Sequence, residues 1–231
     1  MGSGNNNIIE QKPLYLQVAE RLRELIYKRE LSPGDWIDEI NLSQELAISR
    51  TPLREALKVL QQEGLVELIP RRGCRVKELD EQELLELFPV MATLEGLCTN
   101  LATQKLSPAD MKQLEKIHER LEKYAEGENV DRYYEANREF HSAIQNLSGN
   151  RWLSRISSEL RNVLLLARHR QLTVPGRLQE SLKEQRVIMQ ALKDNNPDAA
   201  QQAMLQHICK QENILRQELE ENPSSGMEAN A

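Results

Sequence analysis

The chain has 231 residues, 39% of them hydrophobic and only 4% aromatic, and its mean hydropathy of −0.61 gives it a very polar surface. Leu, Glu, Gln, Lys, Arg and Ala dominate, and all are good helix formers, so the composition favours a mainly α protein over a β-sandwich. The net charge of −6 excludes a uniformly basic nucleic-acid binder, yet the charge is unevenly spread. Residues 1–78 hold twelve Lys/Arg and twelve Asp/Glu, whereas residues 79–231 hold eighteen and twenty-four. Nucleic-acid contact in the first part would have to rest on a local basic surface. Cys74, Cys98 and Cys209 form no CxxC pair, no signal peptide is visible, and no apolar run approaches the ~18–20 residues of a membrane span. A soluble, reduced, cytoplasmic protein without a membrane partner is predicted.

Residues 1–9 are rich in Gly, Ser and Asn and are predicted to be disordered. A first helix is predicted from Pro13 to Arg29, with Leu14, Val18, Leu22, Leu25 and Ile26 as its apolar stripe. Leu31-Ser-Pro-Gly34 stops it. A second helix covers Asn41–Ala47, and a third opens after Ser49 and runs to about Glu63. Ser49 can cap that helix, and Pro52 sits in its first turn, where a missing N–H costs nothing. Leu53, Ala56, Leu57 and Leu60 share one face. Thr51, Arg54, Glu55, Lys58 and Gln61 share the other, and Arg50 and Arg54 lie one turn apart at the N-terminal end. This is the layout of a helix-turn-helix whose second helix enters a DNA major groove. Gly64 ends the third helix. Leu65–Ile69 and Cys74–Lys77 then read as two strands around the turn Pro70-Arg-Arg-Gly73. Three helices plus a two-stranded hairpin make a winged helix whose tip carries Arg71 and Arg72, suited to phosphates or a minor groove.

From Leu79 no further strand is predicted. Six helices follow, at 80–105, 107–126, 129–147, 150–171, 177–194 and 197–221. Their breaks fall at Ser107-Pro108, Gly127–Asn129, Ser148-Gly-Asn150, Pro175-Gly176 and Asp194-Asn-Asn-Pro197. The expected architecture is therefore an N-terminal winged helix-turn-helix over 10–78 and an all-α six-helix bundle over 79–222, with a flexible tail at 223–231.

Several of these residues together resemble a known family. Ser49-Arg-Thr-Pro-Leu-Arg-Glu-Ala-Leu57, with Leu31-Ser-Pro-Gly34 before it and Glu63-Gly-Leu-Val66 and Arg72-Gly73 after it, looks like the DNA-binding domain of GntR-family transcription regulators. The second part resembles the all-helical ligand-binding domain of the FadR subfamily, the FCD type. It does so through Leu94-Glu-Gly96, Asn137-x-x-Phe-His141, Ser148-Gly-Asn150, Glu184-Gln185 and His207. The resemblance implies a homodimeric regulator, a repressor in its expected mode, that binds a pseudo-palindromic double-stranded DNA operator. Arg50 and Arg54 would contact guanines and phosphates, Thr51 a phosphate, and the wing at Arg72-Gly73 the minor groove. Arg presents a planar fork that matches guanine O6 and N7, which gives these positions an independent chemical rationale.

FCD-type domains commonly bind a metal through an Asp and three His. The matching positions here are Asn137, His141, Gln185 and His207, so two ligands differ. All four fall on inward-facing stripes of three helices, Asn137 and His141 one turn apart on the same one, where polar groups need partners. An amide oxygen is a weak ligand for Zn²⁺ or Ni²⁺. A metal-free pocket in which these four residues hydrogen-bond a small-molecule effector is therefore preferred, with His141 and His207 as the strong donors if a divalent metal is present. Met91 stands where an Arg facing an effector carboxylate is common. An organic-acid effector would then need Arg161, Arg168 or Arg170, which are read as surface residues. His118 and His169 are also read as surface residues. Cys74 is read as a small packed residue rather than a redox switch, and Leu164–Ala167 as core or dimer contact. Two rival readings are a metal-dependent hydrolase in the helical bundle and a winged helix that binds protein. No nucleophile–base pair or acidic metal cluster favours the first.

Overall fold

The computed structural model describes residues 12–27, 30–78, 81–172 and 174–221, without the side chains of 81, 165–171, 218–219 and 221. The predicted disordered ends at 1–9 and 223–231, and the side chains of Arg168, His169 and Arg170, lie outside the described residues. The chain divides into two compact units, Met1–Glu78 and Leu79–Ala231.

The first unit runs α1 (Leu14–Tyr27), β1 (Trp36–Ile37), α2 (Glu39–Glu45), α3 (Arg50–Gln62), β2 (Val66–Ile69) and β3 (Gly73–Val76). Its core forms where the apolar stripe of α1, Val18, Ala19, Leu22 and Ile26, meets Leu53, Ala56, Leu57 and Leu60 of α3. Leu14, predicted to extend that stripe, is half exposed in the first turn instead. Arg23 on α1 grips Glu63 through two hydrogen bonds of 2.9 and 2.6 Å, tying α1 to the end of α3. That end is built as sequence suggests. Gly64 takes φ +74, its N–H bonds Gln61 O, and Leu65 N–H bonds Leu60 O at 2.9 Å. This is a Schellman closure, in which glycine adopts the left-handed region without a Cβ penalty. The start of α3 differs from expectation. Ser49 is the N-cap residue with extended backbone, but its side chain makes no capping bond. Asp38 supplies that service one helix earlier, accepting from Ile40 and Asn41 N–H at the start of α2.

The wing is larger than the predicted hairpin. β1 pairs antiparallel with β3 (Trp36 opposite Arg75, Ile37 opposite Cys74), so the sheet has three strands in the order β1-β3-β2. A two-residue strand carries no period to read, which is why sequence alone missed it. Cys74 sits on the central strand, fully buried, opposite both Ile37 and Leu68.

The second unit is a bundle of six helices, α4 (Glu81–Thr103), α5 (Pro108–Glu126), α6 (Val130–Leu147), α7 (Arg151–Leu172), α8 (Arg177–Lys193) and α9 (Pro197–Glu221). Each break has a physical cause. Ser107 and Asp110 form a capping box with Pro108 at the first turn of α5, the arrangement that satisfies helix-end donors reciprocally. Asn129, Asn150 and Asn196 accept from the backbone at the starts of α6, α7 and α9. α4 packs most extensively against α9. At Gly96 a Cβ would stand 3.3 Å from both Gln201 Cγ and its carbonyl oxygen, so the glycine permits that close approach.

Contrary to the sequence reading, one helix does have the length and hydropathy to cross a membrane: Gln82–Thr103 within α4, half of it buried inside the protein. Phe88, Met91, Ala92, Cys98 and Ala102 line its buried side, together with Glu95, whose carboxylate is fully partnered by protein groups. These contacts make α4 a core helix of the bundle.

Candidate functional site

In the first unit, α3 turns its apolar face inward and leaves Thr51, Arg54, Glu55, Lys58 and Gln61 exposed. Arg50 and Arg54 project from its first turns, with 53% and 60% of their side chains exposed, and both reach Glu39, the first residue of α2. Arg54 Nε donates to Glu39 Oε2 at 2.8 Å, and Arg50 Nη2 lies 3.6 Å from the same oxygen. One carboxylate thus orients both cations across the break between the two helices. At the wing, Arg71 takes φ +65 and Gly73 φ +115, which fold the turn tightly. Arg71, Arg72 and Gly73 are exposed. The unit's net charge of zero therefore conceals solvent-facing cations at two places, the start of α3 and the tip of the wing.

The second unit brings together all four residues that the resemblance to FCD-type domains singled out. Asn137 and His141 come from α6, Gln185 from α8 and His207 from α9, and all are buried. The Gln185 side-chain NH2 stands at their centre. It donates to Asn137 Oδ1 at 2.6 Å and lies 3.2 Å from His141 Nε2 and 3.4 Å from His207 Nε2. The two imidazoles stack, with centroids 5.4 Å apart and planes 20° apart. Behind each one stands a carboxylate. His141 Nδ1 meets Glu95 Oε2 at 2.5 Å, and His207 Nδ1 meets Glu184 Oε2 at 2.6 Å. Each carboxylate has its own cation: Arg161 of α7 on Glu95, and Arg177 on Glu184 through two bonds of 2.9 and 3.0 Å. Gln145 donates to Glu95 at 2.9 Å, and Gln211 Nε2 approaches His207 Nε2 at 2.9 Å.

These partners fix the protonation states. Burial alone would raise the Glu95 carboxyl, but the charge of Arg161 and the hydrogen bonds from His141 and Arg161 hold it well below the usual carboxylate range. Burial likewise opposes ionisation of Glu184, and its bonds to His207 and Arg177 overcome it, leaving a pKa of about 2. Burial, reinforced by the nearby Arg161 charge, lowers His141 to about 3 against the pull of Glu95. A neutral imidazole facing an ionised carboxylate must place its proton on Nδ1. His141 Nε2 is then a lone-pair acceptor. His207 is placed alike, with its Nδ1 edge on the Glu184 carboxylate. The His141 lone pair calls for the NH2 side of the Gln185 amide, so its orientation follows from the chemistry.

A divalent metal does not fit this arrangement. The space that His141 Nε2, His207 Nε2 and Asn137 Oδ1 share is taken by a hydrogen-bond donor, which cannot ligate. Among the described residues, no group of three or more His, Cys, Asp or Glu could hold a metal ion.

Several residues stand elsewhere than predicted. Arg161, read as a surface residue, is 3% exposed and locked to Glu95. His118, read likewise, is buried with its ring edge-on to Phe140 at 6.4 Å. Met91 is buried in the apolar stripe of α4. Glu95 and Glu184, which complete the cluster, were given no role in the sequence reading. Their signal was present: Glu95 falls on the helical period of Phe88, Met91, Ala92 and Cys98, a carboxylate in an apolar stripe that demands a cation. Arg177, Ser181 and Glu184 recur on one face of α8 in the same way.

Comparison with known proteins supplies the context. Residues 14–76 match the family described as bacterial regulatory proteins, gntR family, and residues 86–209 match the FCD domain. A Bacillus subtilis HTH-type transcriptional regulator, YdhC, is 29% identical over 90% of this chain and 94% of its own. A probable D-xylose utilization operon transcriptional repressor of Paenarthrobacter nicotinovorans is 28% identical over 83% of this chain and 86% of its own. Among solved structures, E. coli McbR/YncC superposes with a TM-score of 0.80 at 25% identity, covering 90% of this chain and 99% of that one.

Proposed function

Because the chain belongs to the GntR family of bacterial regulatory proteins and carries an FCD domain, we propose that this DNA-binding regulator is a metabolite-responsive repressor of the FadR subfamily. It acts in the cytoplasm as a homodimer on a pseudo-palindromic operator. The family is one of transcriptional regulators, not enzymes. One observation carries the reading: Arg50 and Arg54 project together from the start of α3, in the same unit as a wing tip bearing Arg71 and Arg72. Arg50 and Arg54 read guanines and hold phosphate. Thr51, beside the free N–H groups of the helix start, binds phosphate, and Arg72-Gly73 enters the minor groove. Two identical heads on two half-sites multiply a modest single-site affinity.

Asn137, His141, Gln185 and His207 form the effector site. Two carboxylate-backed imidazoles and two amides offer directional acceptors and donors for a small polar molecule, and five helices contribute to the cluster. A ligand that rearranges it biases the bundle between two states, as an inducer must. Known relatives with named roles include a probable sugar-operon repressor, which agrees with a small polar metabolite as the effector.

Selection of the purified protein on random double-stranded DNA tests the proposal. An inverted repeat bound by two chains is expected, with Arg50→Ala and Arg54→Ala each costing about 1–3 kcal/mol and relaxing the sequence preference. Full retention of binding by the double variant Arg50→Ala/Arg54→Ala would overturn it.

A further inference from the structure

The centre of the buried cluster holds an amide nitrogen where three acceptors converge, and each imidazole acceptor is pinned from behind by a carboxylate. Carboxylate–histidine pairs of this kind ordinarily set imidazole lone pairs toward a cation. Here the lone pairs of His141 and His207 meet the Gln185 NH2 at 3.2 and 3.4 Å, and Asn137 Oδ1 meets it at 2.6 Å. Two N–H hydrogens serve the oxygen and share the two imidazoles. The amide therefore serves Asn137 Oδ1 and His141 Nε2, and shares His207 Nε2 with Gln211.

We infer that Gln185 replaces a metal ion in this chain: its NH2 group is the internal cross-link between α6, α8 and α9, and the domain works without metal. The carboxylate backing is the other half of the inference. Glu95 with Arg161, and Glu184 with Arg177, hold the Nδ1 edges of both imidazoles and so aim their Nε2 edges inward. The cluster consequently holds two nitrogen ligands in readiness and lacks only a ligand in place of the donor. Changing Gln185 to His and Asn137 to Asp exchanges that donor and one weak oxygen for an imidazole and a carboxylate. The four side chains would then form a metal-binding set. The inference stands apart from the effector's identity, since it concerns what fastens the cluster together.

Titration calorimetry tests it. Full-length protein, treated with chelator and dialysed, is titrated with zinc chloride and separately with nickel chloride, and thermal unfolding is followed with and without each metal. The unmodified chain is expected to take up no stoichiometric metal that depends on His207 and to keep its Tm. Asn137→Asp/Gln185→His is expected to bind one equivalent per chain and to gain Tm, both lost when His207→Ala is added. Uptake of one equivalent by the unmodified chain, abolished by His207→Ala, would overturn the inference. A double variant with native circular dichroism that takes up no metal would overturn it equally. Gln185→His alone, which changes the site less, provides the same comparison if the double variant does not fold, and the titration of the unmodified chain decides in either case.

Discussion

Glu39 holds Arg54 across the break between α2 and α3, with Oε2 accepting from Nε at 2.8 Å. Glu39 is largely covered, while Arg54 is mostly exposed. A phosphate or guanine that takes Arg54 must therefore compete with an acidic neighbour. Exposed pairs of this type contribute about 0.2–1 kcal/mol. Glu39→Gln should strengthen binding to unrelated duplex DNA by a comparable amount and steepen its salt dependence, because two arginines lose their internal counter-charge. It should narrow the gap between specific and non-specific affinity. Fluorescence anisotropy on matched and scrambled duplexes at several salt concentrations measures all three, and unchanged salt slopes would show that Glu39 does not restrain the arginines.

Removing one member of the buried Glu95–Arg161 pair leaves the other charge buried. Arg161→Met should destabilise the second unit by about 3–5 kcal/mol. Adding Glu95→Gln to that variant should recover part of the loss, since a neutral amide costs far less to bury than a carboxylate. Urea unfolding followed by circular dichroism reads both, and equal stabilities of the single and double variants would mean that Glu95 is not the group left stranded.

Acid should unfold the second unit in two stages. In the folded state His141 is depressed from 6.5 to about 3, so below about pH 6.5 the unfolded chain takes a proton that the folded chain refuses. Glu184 is depressed from 4.5 to about 2, and its contribution, fully present above 4.5, is lost as the pH falls toward 2. Both effects remove stability as pH falls, each at up to about 1.4 kcal/mol per pH unit. Unfolding free energy should thus be flat above pH 7, begin to decline near 6.5 and steepen below 4.5. His141→Gln should flatten the stretch between 5 and 6.5 and reduce the slope below 4.5 to what the carboxylates contribute.

Cys74 is fully buried on the central strand, and burial pushes its thiol up to about 12. It should resist alkylation at pH 8 in the native protein and react only on unfolding. Rapid native labelling at Cys74, read by peptide mass spectrometry, would restore the redox-switch alternative.

How much of this was legible in the sequence depended on period length. The nine helices of the described residues are long enough to show a period, and Leu53, Ala56, Leu57 and Leu60 all proved buried, although Asp38 rather than Ser49 makes the side-chain cap and α2 opens at Glu39, before its predicted start at Asn41. β1 was not legible, because a two-residue strand has no alternation. The site divided in the same way. Asn137, His141, Gln185 and His207 were singled out by the family resemblance and supported by their inward-facing stripes, and they do meet. The burial of Arg161 was missed because a lone arginine on a helix is usually solvated. Only the facing Glu95, sixty-six positions away in sequence, makes it an interior residue, and no local pattern carries that fact.

The short strand β1 has a mechanical consequence for the head. Trp36 and Ile37 lie directly before Asp38, which caps α2, and they are stitched to the outer side of β3. A hairpin free at both edges could lift like a flap. In this one the β3 edge is paired to β1, so its arginine-bearing tip cannot swing clear without first unzipping the lead-in to the helix-turn-helix. The head is expected to meet a duplex as a rigid stamp, with the pattern of its cations set before contact.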